Sequence, residues 1–129
     1  MKLPILALHR AEITRLEALT PYAVYDDNPE NVPYPYIVLG EVIFTDWSDK
    51  LADGTEVYPT IHIWSQYPGR KEAAEMADAI LQAFSSSPLD LGSNFRAALD
   101  RLDNFNLLVD LDGKTRHGIM RFKYLIEEL

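Results

Sequence analysis

The sequence predicts a single α+β domain: a mainly antiparallel sheet with long β-hairpins and two amphipathic helices packed on it. Two stretches repeat apolar residues at helical spacing, and several others alternate apolar with polar residues as strands do. Asp-Gly pairs, which are typical of tight turns, separate strand-like runs in two places. The chain has 129 residues, of which 47% are hydrophobic, enough for one core. We therefore interpret residues 1–129 as one domain.

Two segments have the pattern of amphipathic helices. The first, Ile5 to Leu19, follows Pro4 and ends at Thr20-Pro21. Its expected core-facing residues are Leu6, Ile13, Leu16 and Leu19. The second lies in GRKEAAEMADAILQAF, before the Ser85–Pro88 stop. Its apolar face comprises Ala73, Met76, Ala77, Ile80, Leu81 and Phe84.

The longest predicted hairpin is centred on Asp53-Gly54. Its first strand, Tyr36 to Trp47, would span roughly 40 Å at about 3.3 Å per residue. A two-residue turn at Asp53-Gly54 would place Thr45 opposite His62 and Ile43 opposite Trp64. The sequence then predicts a core face and a second apolar face that also needs cover. The core face would hold Val38, Val42, Phe44, Ile61 and Ile63, and the second face Ile43, Trp47, Tyr58, His62 and Trp64. Pro59 predicts a bulge in the second strand or an edge position for it.

The remaining strands are shorter or less certain. Tyr22–Tyr25 fits a short strand, and the proline-rich segment after it, DDNPENVPYP, fits a loop. Strands are expected at Asn104–Leu111 and Thr115–Ile126, joined at Asp112-Gly113. The segment Leu91–Asp103 stays open, because ALDRLD is helix-like while a long strand beginning at Phe95 also fits. The predicted order is α-β-β-β-α-β-β.

No motif in the sequence predicts catalysis, a cofactor or a metal site. The three histidines, His9, His62 and His117, lack metal-ligand spacing. We expect His62 to be a packed or interfacial side chain and His117 to be an exposed strand residue. Asp110-x-Asp112-Gly113 resembles the start of a calcium loop, but its glycine is misplaced and the later Glu is missing, which favours a turn. We therefore expect no enzyme activity.

Composition excludes several further classes. The net charge is −8, with 12 basic and 20 acidic residues, so the overall field does not favour binding to nucleic acid. The chain has no cysteine, which excludes disulfides and thiolate metal sites and fits a reducing compartment. No apolar run approaches the roughly 18 residues of a membrane span, and the N-terminus lacks the cleavage site of a signal peptide.

Four segments in succession resemble one protein family. They are VPYPYIVLGE, TDWSDKLADGTE, IHIWSQYPGRKEAAEMADAI and DLDGKTRHGIMRFKYLIEE. Their order and spacing resemble the tail completion proteins of long-tailed bacteriophages, prophages and gene transfer agents, also called head–tail connectors or tail terminators. The resemblance covers about Ala7 to Glu128.

The resemblance implies a structural, non-catalytic virion protein with an α+β fold. It implies a homo-oligomeric ring, usually hexameric, that ends the tail tube at its head-proximal end and joins it to the head. The implied partners are the tail tube protein and head-completion or connector proteins, with assembly in the bacterial cytoplasm and no membrane. DNA would pass through the ring without specific binding, which the acidic balance fits.

The second face of the hairpin, together with its outer end from Trp47 to Glu56, is the candidate interface with a neighbouring subunit or the tail. Its candidate residues are Asp46, Trp47, Leu51, Tyr58, His62 and Trp64. A heterologous contact between different patches of the same chain closes into a ring when the rotation permits. Two alternatives remain open: a cytoplasmic non-catalytic binding or regulatory module, whose acidic surface would mimic DNA, and a small enzyme with a pocket that the sequence does not reveal.

Overall fold

The computed structural model describes residues 2–46 and 54–129. It contains two helices and five strands in the predicted order. In chain order they are α1 Ile5–Leu19, β1 Ala23–Tyr25, β2 Tyr36–Asp46, β3 Gly54–Ser65, α2 Lys71–Ser85, β4 Phe95–Val109 and β5 Arg116–Glu128. The α+β class is confirmed. Within the described residues, no helix is long and apolar enough to span a bilayer.

The five strands form one sheet in the order β1-β2-β3-β5-β4. The short β1 pairs parallel with β2, and all other pairs are antiparallel, as predicted for a mainly antiparallel sheet. Strands β3 and β5 lie at the centre, so their backbones are paired on both sides. Strands β1 and β4 are the two edges.

Both helices pack on one face of the sheet, and the core lies between them and that face. The buried face of α2 is the predicted one, with Ile80 and Phe84 almost fully buried. The buried face of α1 differs from the prediction, because Leu6 and Leu19 are exposed. The stripe that faces the sheet comprises Leu8, Ala11, Glu12 and Leu16. At 100° per residue Leu6 points away from this stripe, whereas Leu19 is the last residue of the helix.

The predicted register of the long hairpin is wrong. Val38, not Thr45, lies opposite His62, and the ladder ends with Asp46 opposite Thr55. Gly54 already belongs to β3 and pairs with Glu127 of β5, and Asp53, the other residue of the predicted turn, lies outside the described residues. The observed pairs of β2 with β3 differ from those that a turn at this Asp-Gly pair would give.

A β-bulge near Gly40 explains two further differences. The ladder passes from Leu39 opposite Ile61 to Val42 opposite Pro59, so β2 holds one extra residue there. The bulge thus lies in the strand facing Pro59, and β3 is a central strand, not an edge. Because the bulge changes the alternation of β2, Val38 lies on the same face as His62 and not on the core face.

The open question between Leu91 and Asp103 is resolved in favour of a long strand. Strand β4 begins at Phe95 and pairs with β5 along its whole length, with register shifts near Asp100 and Asp103. Pairing with a central strand overrides the helix-like spacing of ALDRLD. The turn that follows has Gly113 at φ 72°, a conformation that favours glycine.

Candidate functional site

The sheet face turned away from the helices, called the open face here, carries a cluster of aromatic side chains. On the central strands, Trp64 of β3 lies directly opposite His117 of β5. His62 is two residues before Trp64 and therefore projects from the same face. The cluster is half-buried although neither α1 nor α2 covers this side of the sheet. These side chains therefore pack on one another at the surface of the sheet.

The three rings stack in sequence. The His117 ring lies parallel to Trp64, with centroids 3.8 Å apart and an interplanar angle of 9°. Its distance to the His62 ring centroid is 4.9 Å at 26°. The Nδ1 atom of His62 lies 2.7 Å from the Nε2 atom of His117, so one nitrogen donates a hydrogen and the other accepts it. This hydrogen bond excludes the state in which both imidazoles are protonated.

The surroundings of His117 favour its neutral form. Burial, and then the charge of His62, lower the pKa of His117, while Asp110 and Glu41 act in the opposite direction. Glu41 lies beside the cluster, with an oxygen 3.5 Å from Nε2 of His62. A hydrogen bond from its own backbone N–H, with smaller effects of His62 and Arg121, lowers the pKa of Glu41 despite partial desolvation. A carboxylate thus lies at the rim of the aromatic cluster.

Gly40 makes room for the His62 ring. A Cβ atom at this position would lie 2.5 Å from both Cδ2 and Nε2 of His62 and 3.2 Å from the carbonyl oxygen of Thr60. The bulged backbone of β2 therefore approaches the imidazole closely. A cavity of about 300 Å³ opens at this point, lined among others by Asp27, Glu41, His62 and Trp64.

The structure brings together two of the six predicted interface residues, His62 and Trp64. Tyr58 lies further along β3 on the same face, opposite Ile43, and its hydroxyl donates to Glu56 at 3.2 Å. Asp46 ends β2 opposite Thr55 and is exposed. The other two, Trp47 and Leu51, lie outside the described residues.

Sequence reasoning missed His117, Gly40 and Glu41. We expected His117 to be exposed, and this is wrong, because it is half-buried beside Trp64. The pairing of β3 with β5 places Trp64 opposite His117, and no local pattern in the sequence predicts that pairing.

The chemistry of the cluster fits recognition of another protein. Aromatic side chains with a polar edge are frequent anchors at protein interfaces. In the described part of the chain, no three His, Cys, Asp or Glu side chains form a group that could hold a metal ion. A packed, half-exposed aromatic patch on the open face is what a neighbouring protein surface would cover.

The chain is similar to known proteins of one family. The sequence model of the family described as "Tail completion protein gp17" matches residues 6–127. The tail completion protein gp17 of Bacillus phage SPP1 is 28% identical over 130 residues, covering 97% of this chain and 96% of that protein. The solved structure of SPP1 gp17 has a TM-score of 0.63 at 25% identity and covers 99% of this chain and 92% of its own. A chain in the virion of a native gene transfer agent particle has the same fold, with a TM-score of 0.84 at 24% identity and coverage of 98% and 99%.

Proposed function

Since the chain belongs to the tail completion protein gp17 family, we propose that it forms a homo-oligomeric ring at the head-proximal end of a phage-type tail tube. There it would end the tail and join it to the head as a structural protein of the virion, without catalysis. The match of the family model to residues 6–127, almost the whole chain, carries this proposal. A tail component of a phage or gene transfer agent particle must contact other virion proteins, and the fold offers surfaces for such contacts.

The open face supports a role in assembly. Its cluster of Trp64, His62 and His117 is packed but only half-buried, as expected for a patch that a neighbouring protein covers. Asp46 and Tyr58 lie on the same hairpin, towards the end where residues 47–53 connect β2 to β3. Trp47 and Leu51 are proposed as further apolar anchors of this interface, from the sequence alone.

The charge of the chain fits a passage for DNA. Six copies at −8 each give −48 for a hexamer, before any shift of pKa. An acidic lumen repels phosphate groups, so DNA would pass without being held. This proposal includes a hexameric ring, and the tail tube protein and head-connector proteins as its partners. It also includes assembly in the cytoplasm before the chain joins the virion.

A binding assay tests the position in the particle. Purified chain is incubated at matched salt with tails that lack it and, separately, with empty capsids. The proposal expects co-sedimentation with the tails and a ring at one tail end in electron micrographs. Tight binding to empty capsids but not to tails would overturn it.

A double substitution tests the interface. Trp47→Ala with Leu51→Ser is expected to leave the melting temperature nearly unchanged and to abolish assembly onto tails. Leu6→Ser, on the exposed side of α1, serves as a matched control and should keep both. If the double variant still assembles but melts much earlier, these residues belong to the core and are not interface anchors.

A further inference from the structure

The edge strand β4 consists of two unlike parts. Residues 95–103 contain the register shifts of the strand and four charged side chains, Arg96, Asp100, Arg101 and Asp103. These side chains form ion pairs with one another or with β5. Bulges and charges are common means by which a protein prevents a sheet edge from pairing with another chain. The first part of β4 is therefore protected against such pairing.

The second part, residues 104–109, is called the uncharged edge here and lacks this protection. It contains no charged residue, and its register with β5 is unbroken. Phe105 and Val109, on the side of the sheet that the helices cover, are 37% and 57% exposed, and Leu108, on the open face, is 51% exposed. No strand of the described residues lies beside the uncharged edge, so about half of its backbone N–H and C=O groups point outward. Such an edge can accept a strand from another chain.

The opposite edge of the same sheet, β1, has the direction that this pairing needs. Strand β1 runs parallel to β2, and the three antiparallel pairings from β2 through β3 and β5 make β4 run opposite to β1. Among the described helices and strands, β1 contacts only β2 and α1. The chain leaves β1 across the open face, because Asp27 and Asn28 line the cavity beside Trp64. The outer side of β1 therefore faces away from the rest of the sheet.

The faces of the two edge strands also match. Ladder pairs form rows across all five strands, and the row that starts at Val24 ends at Leu107. Both side chains lie on the helix-covered side and pack against the core. The two adjacent rows belong to the open face and join Ala23 with Leu108, and Tyr25 with Asn106.

Twist decides how far β1 is displaced along the uncharged edge. Because neighbouring strands twist, sheets that join around an axis have tilted strands, as in a barrel. The tilt changes which residues stand opposite each other between copies. Any displacement by an even number of residues keeps the open-face side chains of both strands on one face.

We infer that β1 of one copy pairs antiparallel with the uncharged edge of the next copy, so that neighbouring sheets join edge to edge. Since α1 packs on β1, the same contact brings α1 of one copy next to Phe105 and Val109 of the other. The two edges differ, so the contact is heterologous, and its repetition closes into a ring when the rotation permits. This inference rests on the proposed ring and names the strands that join its subunits.

Disulfide trapping tests the pairing, and the chain suits it because it has no natural cysteine. Ala23→Cys is combined in turn with Asn104→Cys, Asn106→Cys and Leu108→Cys, which are exposed positions on the open face of the uncharged edge. Opposite residues of an antiparallel pair lie within disulfide distance, whereas a displacement by two residues adds about 7 Å along the strand. On tails, mild oxidation should give a ladder of covalent multimers with one combination and much less with the other two. Absence of a ladder from all three would overturn the inference.

The matched control combines Ala23→Cys with Ala98→Cys. Ala98 is also exposed and on the open face, but it belongs to the charged part of β4, so this variant should give no ladder. Variants with one cysteine should stay monomeric. Dimers from Asn106→Cys alone would show that the uncharged edge pairs with itself in a second copy, and this would overturn the inference.

Amide hydrogen exchange gives a second readout. About half of the amides of the uncharged edge, those not bonded to β5, should exchange about tenfold or more slowly on assembled tails than in the free chain. Residues 95–103 should show no such change. Protection of the uncharged edge without any ladder would mean that a strand of a tail protein occupies it, which contradicts pairing with β1.

Electron micrographs of the same tails separate the two proposals. A ring at the tail end without a ladder would overturn the edge pairing and leave the proposed function intact. Absence of the chain from the tail end would overturn the proposed function. The edge pairing is then decided on purified chain at high concentration, where the same ladder would support it and its absence would overturn it.

Discussion

The Nδ1 atom of His62 lies 2.7 Å from the Nε2 atom of His117. This hydrogen bond joins the central strands β3 and β5 on the open face of the sheet. It exists only when at least one of the two facing nitrogens is unprotonated. The contact between the two strands at this point of the candidate interface therefore depends on the protonation state of the two histidines.

We predict that acid weakens the fold through His117. Its pKa is lowered below the usual 6.5 by burial and then by His62. A histidine with a lowered pKa takes up its proton more readily in the unfolded chain, so its contribution to stability is lost as pH falls below 6.5. Between pH 7 and pH 5 the melting temperature of the natural chain should fall relative to that of His117→Asn, whichever way the other titrating groups move both proteins. His9→Asn, on α1, should keep the pH slope of the natural chain, and equal slopes for all three proteins would refute the prediction.

Gly40→Ala should destabilise the chain by displacing His62. The new methyl group would lie 2.5 Å from two atoms of the His62 ring, which must move. Overpacking of this kind typically costs about 1–3 kcal/mol of unfolding free energy. Urea denaturation of Gly40→Ala, His62→Ala and the double variant measures it as a cycle. A loss that is as large in the His62→Ala background would show that the backbone, not the imidazole, opposes the methyl group.

Local patterns in the sequence predicted the elements well but not their alignment. Residues Ile5 to Leu19 form α1 as expected, and Phe84 is buried as the period of α2 requires. Helix boundaries depend on neighbouring residues such as Pro4 and Pro21, which a sequence displays directly. The buried face of α1 was less clear, because Glu12 occupies a core position where the spacing of apolar residues alone would not place it.

The candidate site could be predicted only in part, because it depends on strand register. His62 and Trp64 alternate along one strand, and their shared face follows from the period of two. Their neighbour His117 is more than 50 positions away from them in the sequence, and the β3–β5 ladder places it opposite Trp64. The bulge at Gly40 likewise arises from pairing with β3, and it moved Val38 from the predicted core face to the opposite one.

Phe84→Ala should remove a large part of the stability. Phe84 is 1% exposed and meets Phe122 edge-to-face, with centroids 5.0 Å apart. Truncation of a buried phenylalanine typically costs about 3–5 kcal/mol through lost burial and the cavity that remains. Chemical denaturation should show this loss, whereas Leu6→Ala, 69% exposed, should change stability by less than about 0.5 kcal/mol. A loss below about 1 kcal/mol for Phe84→Ala would mean that the core relaxes around the missing ring.

Glu12 is a carboxyl group in the core between α1 and the sheet. It is 2% exposed, and its Oε1 atom has no hydrogen-bond partner within the described residues. The hydroxyl of Tyr124 is likewise unpartnered there, and its pKa is raised by burial and then by the charge of Glu12. Burial, and then the charge of Asp26, raise the pKa of Glu12 to about 8. The folded chain thus keeps this group protonated well above the pH at which an exposed glutamate ionises.

We predict that Glu12 lowers the stability of the chain as pH rises from about 5 to 8, and that Glu12→Gln removes this contribution. The folded chain binds the Glu12 proton more tightly than the unfolded chain, so the contribution of Glu12 to the free energy of unfolding falls between the usual pKa of 4.5 and the raised value of about 8. At 1.36 kcal/mol per pKa unit, the full effect is at most about 5 kcal/mol. Glutamine has nearly the same shape and cannot ionise, so the variant should be the more stable protein at pH 8. Urea denaturation at several pH values measures both curves, with Glu17→Gln, an exposed carboxylate on the same helix, as the control that should follow the natural chain. Parallel curves for the natural chain and Glu12→Gln would show that Glu12 ionises in the folded state without cost.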